Sequence, residues 1–127
     1  MKAKFLFFIA LTMFLSCTES KEKKQANFLY NISGVWRCNL AGVKVNIDCR
    51  GQNMSYTFGR VKRMLIIKSF DPENHTMGFT SCDSLSPDNC YSLYIRQSFD
   101  KEGKTFNLVV DDQTITEPYS LSYIRDL

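Results

Sequence analysis

The amino-acid sequence predicts an all-β fold, an antiparallel up-and-down barrel of about eight strands. Apolar residues alternate with polar ones along short segments, which is the period of a strand with one buried face. Turn-forming clusters separate those segments, as at Arg50-Gly51-Gln52-Asn53, Asp71-Pro72-Glu73-Asn74, Asp100-Lys101-Glu102-Gly103 and Asp111-Asp112. No ten-residue window carries a helical period.

The strands follow in order. Phe28–Cys38 supplies the first, and Val43, Val45, Ile47 and Cys49 alternate along the second. Met54, Tyr56 and Phe58 mark the third, and the apolar run Met64–Phe70 the fourth. Met77 and Phe79 define the fifth, Leu93, Ile95 and Phe99 the sixth, Phe106, Leu108 and Val110 the seventh, and Tyr119, Leu121 and Tyr123 the last. Spacings of ten to twelve residues with short connections suit neighbouring antiparallel strands. Closing the sheet into a barrel removes the edges that would invite aggregation.

The first sixteen residues stand apart. Lys2 and Lys4 precede an apolar run, Phe5–Leu15, too short for a bilayer that needs about twenty residues, so residues 1–16 read as a signal peptide. Cys17 ends that run and Thr18-Glu19-Ser20-Lys21 follows it. Phe14-Leu15-Ser16-Cys17 resembles the lipobox of bacterial lipoproteins, which implies a Cys17 that carries acyl chains and becomes the new N-terminus. Two chains suffice for stable anchoring, at about 0.8 kcal/mol per buried methylene. The resemblance implies a place in the bacterial cell envelope, with the outer membrane favoured because Thr18 is not the aspartate of an inner-membrane retention signal. The alternative is ordinary cleavage just after Cys17 and secretion. Residues 17–26 are polar and lysine-rich and are expected to form a tether, with the folded domain spanning 27–127.

About one hundred residues make one domain with one core. From Gln25 onward eleven basic residues face eleven acidic ones, so no electrostatic footprint for nucleic acid is present. The local cluster Arg60, Lys62, Arg63 and Lys68 reads as a solvated face. Four cysteines remain in the domain, an even number that suits two disulfides in an exported chain of this size. Cys82 and Cys90 bracket a polar loop centred on Ser86 and are expected to pair across a hairpin mouth. Cys38 and Cys49 bracket the hairpin around Leu40-Ala41-Gly42 and are expected to form the second bridge. Zinc would require close cysteine pairs with histidines, and His75 is the only histidine, so no metal or other cofactor is expected.

Gly34-Val35-Trp36 lies on the first strand, and Arg125 shares the parity of Tyr119, Leu121 and Tyr123 on the last. These residues resemble the lipocalins and their calycin relatives, in which a Gly-x-Trp indole packs at the closed barrel end against an arginine of the final strand. The resemblance implies a small lipocalin-like lipoprotein, with Gly34, Trp36 and Arg125 closing one end. The opposite end, rimmed by the loops near Asn53 and Cys82–Cys90, would then be the open one.

Catalysis finds no support. The sequence holds no Gly-x-Ser-x-Gly, glycine-rich phosphate loop or His-x-x-x-His, and Asp111 and Asp112, as neighbours on a strand, would point to opposite faces. His75 reads as a surface residue. Two binding classes survive. In the first, a membrane-anchored cup holds a small apolar ligand lined by Tyr56, Phe58, Met77, Phe79, Ile95 and Tyr123. In the second, the same side chains plug the barrel and its loops bind a protein target, a reading implied by resemblance in size, anchoring and disulfides to small bacterial lipoproteins that inhibit lysozymes or neutralise a toxin in the envelope. Eight strands enclose a space that side chains can just fill or that holds one small ligand, so strand number does not choose between them, and the lipocalin resemblance sets the cup first with the plugged barrel as the alternative.

Overall fold

The computed structural model describes residues 20–39, 42–103 and 105–124. One helix, α1 (Lys21–Ile32), precedes eight strands: β1 (Gly34–Cys38), β2 (Lys44–Asp48), β3 (Met54–Phe58), β4 (Val61–Asp71), β5 (Thr76–Asp83), β6 (Cys90–Phe99), β7 (Phe106–Asp112) and β8 (Tyr119–Tyr123). Each strand pairs antiparallel with the next, and β1 pairs with β8, so the sheet closes into a barrel. The register Trp36↔Tyr123 and Cys38↔Leu121 makes the seam.

The helix corrects the expectation at the start of the domain. Residues 28–32 are helical, not part of the first strand, and the helix begins at Lys21 inside the stretch expected as a tether. Ser20 caps it, its Oγ accepting from the Lys23 N–H at 3.2 Å, and Glu22 sits in the first turn, where a carboxylate meets the positive helix end. Phe28 and Ile32, four residues apart, share the face that the barrel buries. Ser33 ends the helix and fastens it. Its hydroxyl donates to the Leu29 carbonyl at 2.8 Å and accepts from the Cys49 N–H at 2.9 Å, tying α1 to the end of β2.

Inward positions follow the predicted alternation. Trp36, Val45, Ile47, Tyr56, Met77, Phe79, Leu93, Ile95, Leu108, Val110, Tyr119 and Leu121 form one core in which every side chain is at most 1% exposed. β4 contains a bulge between Ile67 and Ser69. Gly78 faces outward beneath the Tyr94 ring, and a Cβ there would stand 2.8 Å from that ring and 2.6 Å from Ser69 Oγ.

Of the two expected disulfides one is present. Cys82 and Cys90 are bonded across the β5–β6 hairpin, where the register places them opposite each other. Cys38 and Cys49 are free, buried thiols, which corrects the expected second bridge. The register explains it. The β1–β2 hairpin sets Arg37 against Lys44 and Gly34 against Ile47, and the Cys38 N–H donates to the Val43 carbonyl, so Cys38 lies at the turn and Cys49 beyond the far end. The two sit about six strand positions apart, roughly 20 Å, whereas a disulfide needs Cα atoms within about 7 Å.

Candidate binding site

The barrel has two unlike ends. At one, where β1, β3, β5 and β7 begin, α1 lies across the opening. Phe28 packs on Phe70, with ring centroids 5.5 Å apart, and Ile32 is fully buried. Trp36 stands at the centre of this end. Its indole N–H donates to the Ile32 carbonyl at 2.9 Å, and its ring meets Tyr123 edge-on at 5.1 Å and Phe106 at 5.9 Å. Gly34 makes room for that packing. It has φ +144°, and a Cβ would come within 3.0 Å of the Tyr123 ring. Two members of the expected closure, Gly34 and Trp36, are therefore at one barrel end, with Tyr123 packed on both. Arg125, like Cys17, lies outside the described residues. The loop holding Asn53 joins β2 to β3 and so borders this same end, which corrects its expected place on the opposite rim.

The helix does not cover the whole opening. An aromatic chain runs around its margin, His75–Phe99 at 5.0 Å, Phe99–Phe106 at 5.8 Å, then Trp36 and Tyr123. Phe99 remains 44% exposed and Tyr123 54%. Two clefts open between the helix and this margin. The first, of about 480 Å³, is lined by Trp36, Phe106, Tyr123, Tyr30 and Arg50 among others, and the Arg50 guanidinium lies 5.0 Å over the Tyr30 ring. The second, of about 390 Å³, lies between α1 and the β4–β5 turn, with Phe28, Phe70, Phe99 and Gln97 in its wall and Lys24 and His75 at its edge. Asn31 borders both. His75 is exposed, as read from the sequence, and has φ +50°, a left-handed conformation that is uncommon for a residue with a side chain.

At the other end the interior is polar. The Tyr56 and Tyr119 hydroxyls are hydrogen-bonded to each other across the barrel, and Phe58 packs edge-on against Tyr119 at 5.7 Å. Beside them Arg63 Nη1 donates to Asp112 Oδ2 at 2.6 Å, while Asp112 Oδ1 accepts from the Thr114 N–H at 2.9 Å and its hydroxyl at 2.7 Å. Asp112 is 2% exposed and Arg63 20%. Burial raises the pKa of both phenols far above the ordinary value, and the nearby Asp112 adds to it, so neither ionises in the folded protein. Arg63 is thus an interior ligand of Asp112, which corrects its reading as part of a solvated basic face. Asp112 itself closes β7 as its last residue and faces inward, where a turn was expected.

The six side chains proposed to line a cup are brought together, but unequally. Tyr56, Met77, Phe79 and Ile95 lie in the packed core, Phe58 is half-buried against Tyr119, and Tyr123 belongs to the aromatic margin at the helix end. The sequence reading missed the residues that border the clefts, Phe28, Phe70, Gln97 and Phe106 with the helix stripe Lys24, Asn27 and Asn31. Their signal was the inward parity of Gln97, Phe99 and Phe106 at strand ends, beyond the last residues needed to fill the core. Among the described residues no three His, Cys, Asp or Glu side chains converge as a metal site would require. Comparison of the chain with family models, with curated proteins and with solved structures finds no match. The class that the geometry defines is a small closed eight-stranded barrel with a helix across one end.

Proposed function

We propose that this is a non-catalytic binding lipoprotein of the bacterial cell envelope, held to a membrane through lipid on Cys17, whose plugged barrel presents a surface to a protein target. It is the inhibitor or immunity type of reading, set ahead of the cup with a ligand in its lumen. One observation carries the choice: the inward positions are taken by Trp36, Tyr56, Phe79, Tyr119 and other large side chains at most 1% exposed, while aromatic surface remains at the helix-capped rim. A small-molecule lumen needs free volume of roughly 300 Å³ or more, and side chains interlocked at ordinary core density leave little of it. Exposed aromatic residues beside an arginine, as Tyr30, Tyr123 and Arg50 are in the larger cleft, have the composition of binding hot spots.

The test uses the domain without its lipid. Cross-linking in envelope extracts followed by reconstitution with the purified partner should give a stoichiometric complex, weakened at least tenfold by Tyr123→Ser or Tyr30→Ser. Displacement of a fluorescent fatty acid should be absent below about 100 µM. Probe binding below that concentration that is lost in Phe79→Ala would return the ligand to the lumen and overturn the proposal.

A further inference from the structure

Gln97 sits in the smaller cleft on terms that packing alone does not explain. It is an inward residue of β6, paired with Leu108 of β7, and its main-chain N–H donates to the His75 carbonyl at 2.9 Å. Its side chain is only 7% exposed, yet the Nε2 amide, a double donor, is buried without a hydrogen-bond partner. An unpaired buried donor costs about 1–3 kcal/mol, so a leucine here would serve the core better. Gln97 is one of the residues that line the cleft of about 390 Å³, together with Phe28, Phe70 and Phe99. That volume falls within the range of small-molecule sites, about 300–1,000 Å³.

The lining also fixes the kind of ligand. The donor beside the rings is a neutral amide, and a bare carboxylate placed against it among aromatic walls would lose more hydration than one neutral hydrogen bond returns. The matching group is a neutral carbonyl oxygen. Apolar walls call for an apolar body attached to it. At the border stands Lys24, with no acidic side chain among the residues that form the cleft, so an anionic group at the outer end of the ligand is matched by charge.

We propose that this cleft binds a small acylated amino acid: an amide carbonyl accepting from Gln97 Nε2, an apolar side chain between Phe28, Phe70 and Phe99, and a terminal carboxylate beside Lys24. This site is distinct from the lumen and from the larger cleft to which the protein-binding reading looks, so either can fail without the other.

The experiment is a titration of the folded domain with N-acetylphenylalanine, its carboxamide, and 3-phenylpropionate, which lacks the amide carbonyl, followed by NMR of the Gln97 side-chain NH₂ group. N-acetylphenylalanine should shift those resonances saturably. 3-Phenylpropionate should bind about tenfold more weakly, the loss of about one hydrogen bond. Gln97→Leu should abolish that preference for the amide-bearing probe while folding at least as stably as the parent, and Lys24→Ala should abolish the preference for the free acid over the carboxamide. Absence of a saturable shift up to about 20 mM probe, or an affinity of Gln97→Leu for N-acetylphenylalanine equal to the parent's, overturns the proposal. A tighter fit for 3-phenylpropionate than for N-acetylphenylalanine would also overturn it, since the acceptor would then be a carboxylate.

Discussion

The interior ion pair at the polar end makes a quantitative prediction that depends on the order in which its members are removed. Asp112 is 2% exposed and Arg63 20%, so the two side chains have different access to water once separated. Arg63→Met strands a buried carboxylate with only the two Thr114 donors, 2.9 and 2.7 Å from Oδ1. Breaking a fully buried pair this way costs about 3–5 kcal/mol, and the partial solvation of this one lowers the figure to about 2–4 kcal/mol. Asp112→Leu leaves a guanidinium that can turn outward, at about 1–2 kcal/mol. The double variant, with neither charge buried, should cost less than the two singles together, with a coupling of about 1.5–3 kcal/mol. Urea unfolding of the four proteins reads this directly, Arg63→Met moving the midpoint by roughly 1–3 M. Single-variant costs that add to within about 0.5 kcal/mol would refute the interior placement of the pair and return Arg63 to the solvated face.

Two further predictions concern groups that burial silences. Cys49 has its thiol pushed up to about 12, chiefly by burial and then by Asp48, and Cys38 is buried, so iodoacetamide at pH 8 should leave both unmodified in the native protein and label both in denaturant, while Cys82 and Cys90 label only after reduction. A Cys38–Cys49 peptide in a non-reducing digest would contradict the register. Tyr56 and Tyr119 have raised pKa values in the folded state, so their contribution is full below the unfolded tyrosine value of about 10 and is lost as pH rises above it. In a spectrophotometric titration this buried pair should ionise only together with alkaline unfolding.

Most of the barrel was legible because inward parity is a property of single strands. Val45, Ile47, Tyr56, Phe79, Ile95, Leu108 and Leu121 all occupy the faces that alternation assigned. The helix was not, and the reason lies in Phe28, Tyr30 and Ile32. Residues at i, i+2 and i+4 satisfy a strand's alternation, while i and i+4 alone satisfy a helix, and only Leu29 and the Ser20 cap break the tie. The second disulfide failed for a different cause. Bracketing a turn is not enough, since pairing partners must be equidistant from its midpoint, a condition that Cys82 and Cys90 meet around Ser86 and that Cys38 and Cys49 miss around residues 40–41. The Arg63–Asp112 pair is a contact between strands β4 and β7, which no local pattern in either strand reports. The clefts arise where α1 meets strand ends, so they depended on the element that alternation had concealed.

The position of α1 also orients the molecule, given the proposed lipid on Cys17. Lys21, the first helical residue, is four positions after Cys17, and an extended chain spans at most about 3.6 Å per residue, so the helix N-terminus stays within about 15 Å of the anchoring sulfur's residue. Lys21, Lys23 and Lys24 in the first helical turns would then meet the headgroup region, each worth about 1 kcal/mol near an anionic surface. The loop carrying Leu85, 91% exposed, joins β5 to β6 at the opposite barrel end and would point away. The lipidated protein in vesicles should therefore show strong quenching of a nitroxide at Asn27→Cys by a headgroup-bound relaxation agent and little at Leu85→Cys, labels that reach these sites alone because Cys38 and Cys49 are buried. Equal quenching at both would refute an orientation with the helix end towards the membrane. Such an orientation sets the two clefts beside the bilayer surface, so a protein target reaching the aromatic margin would have to approach along the membrane plane.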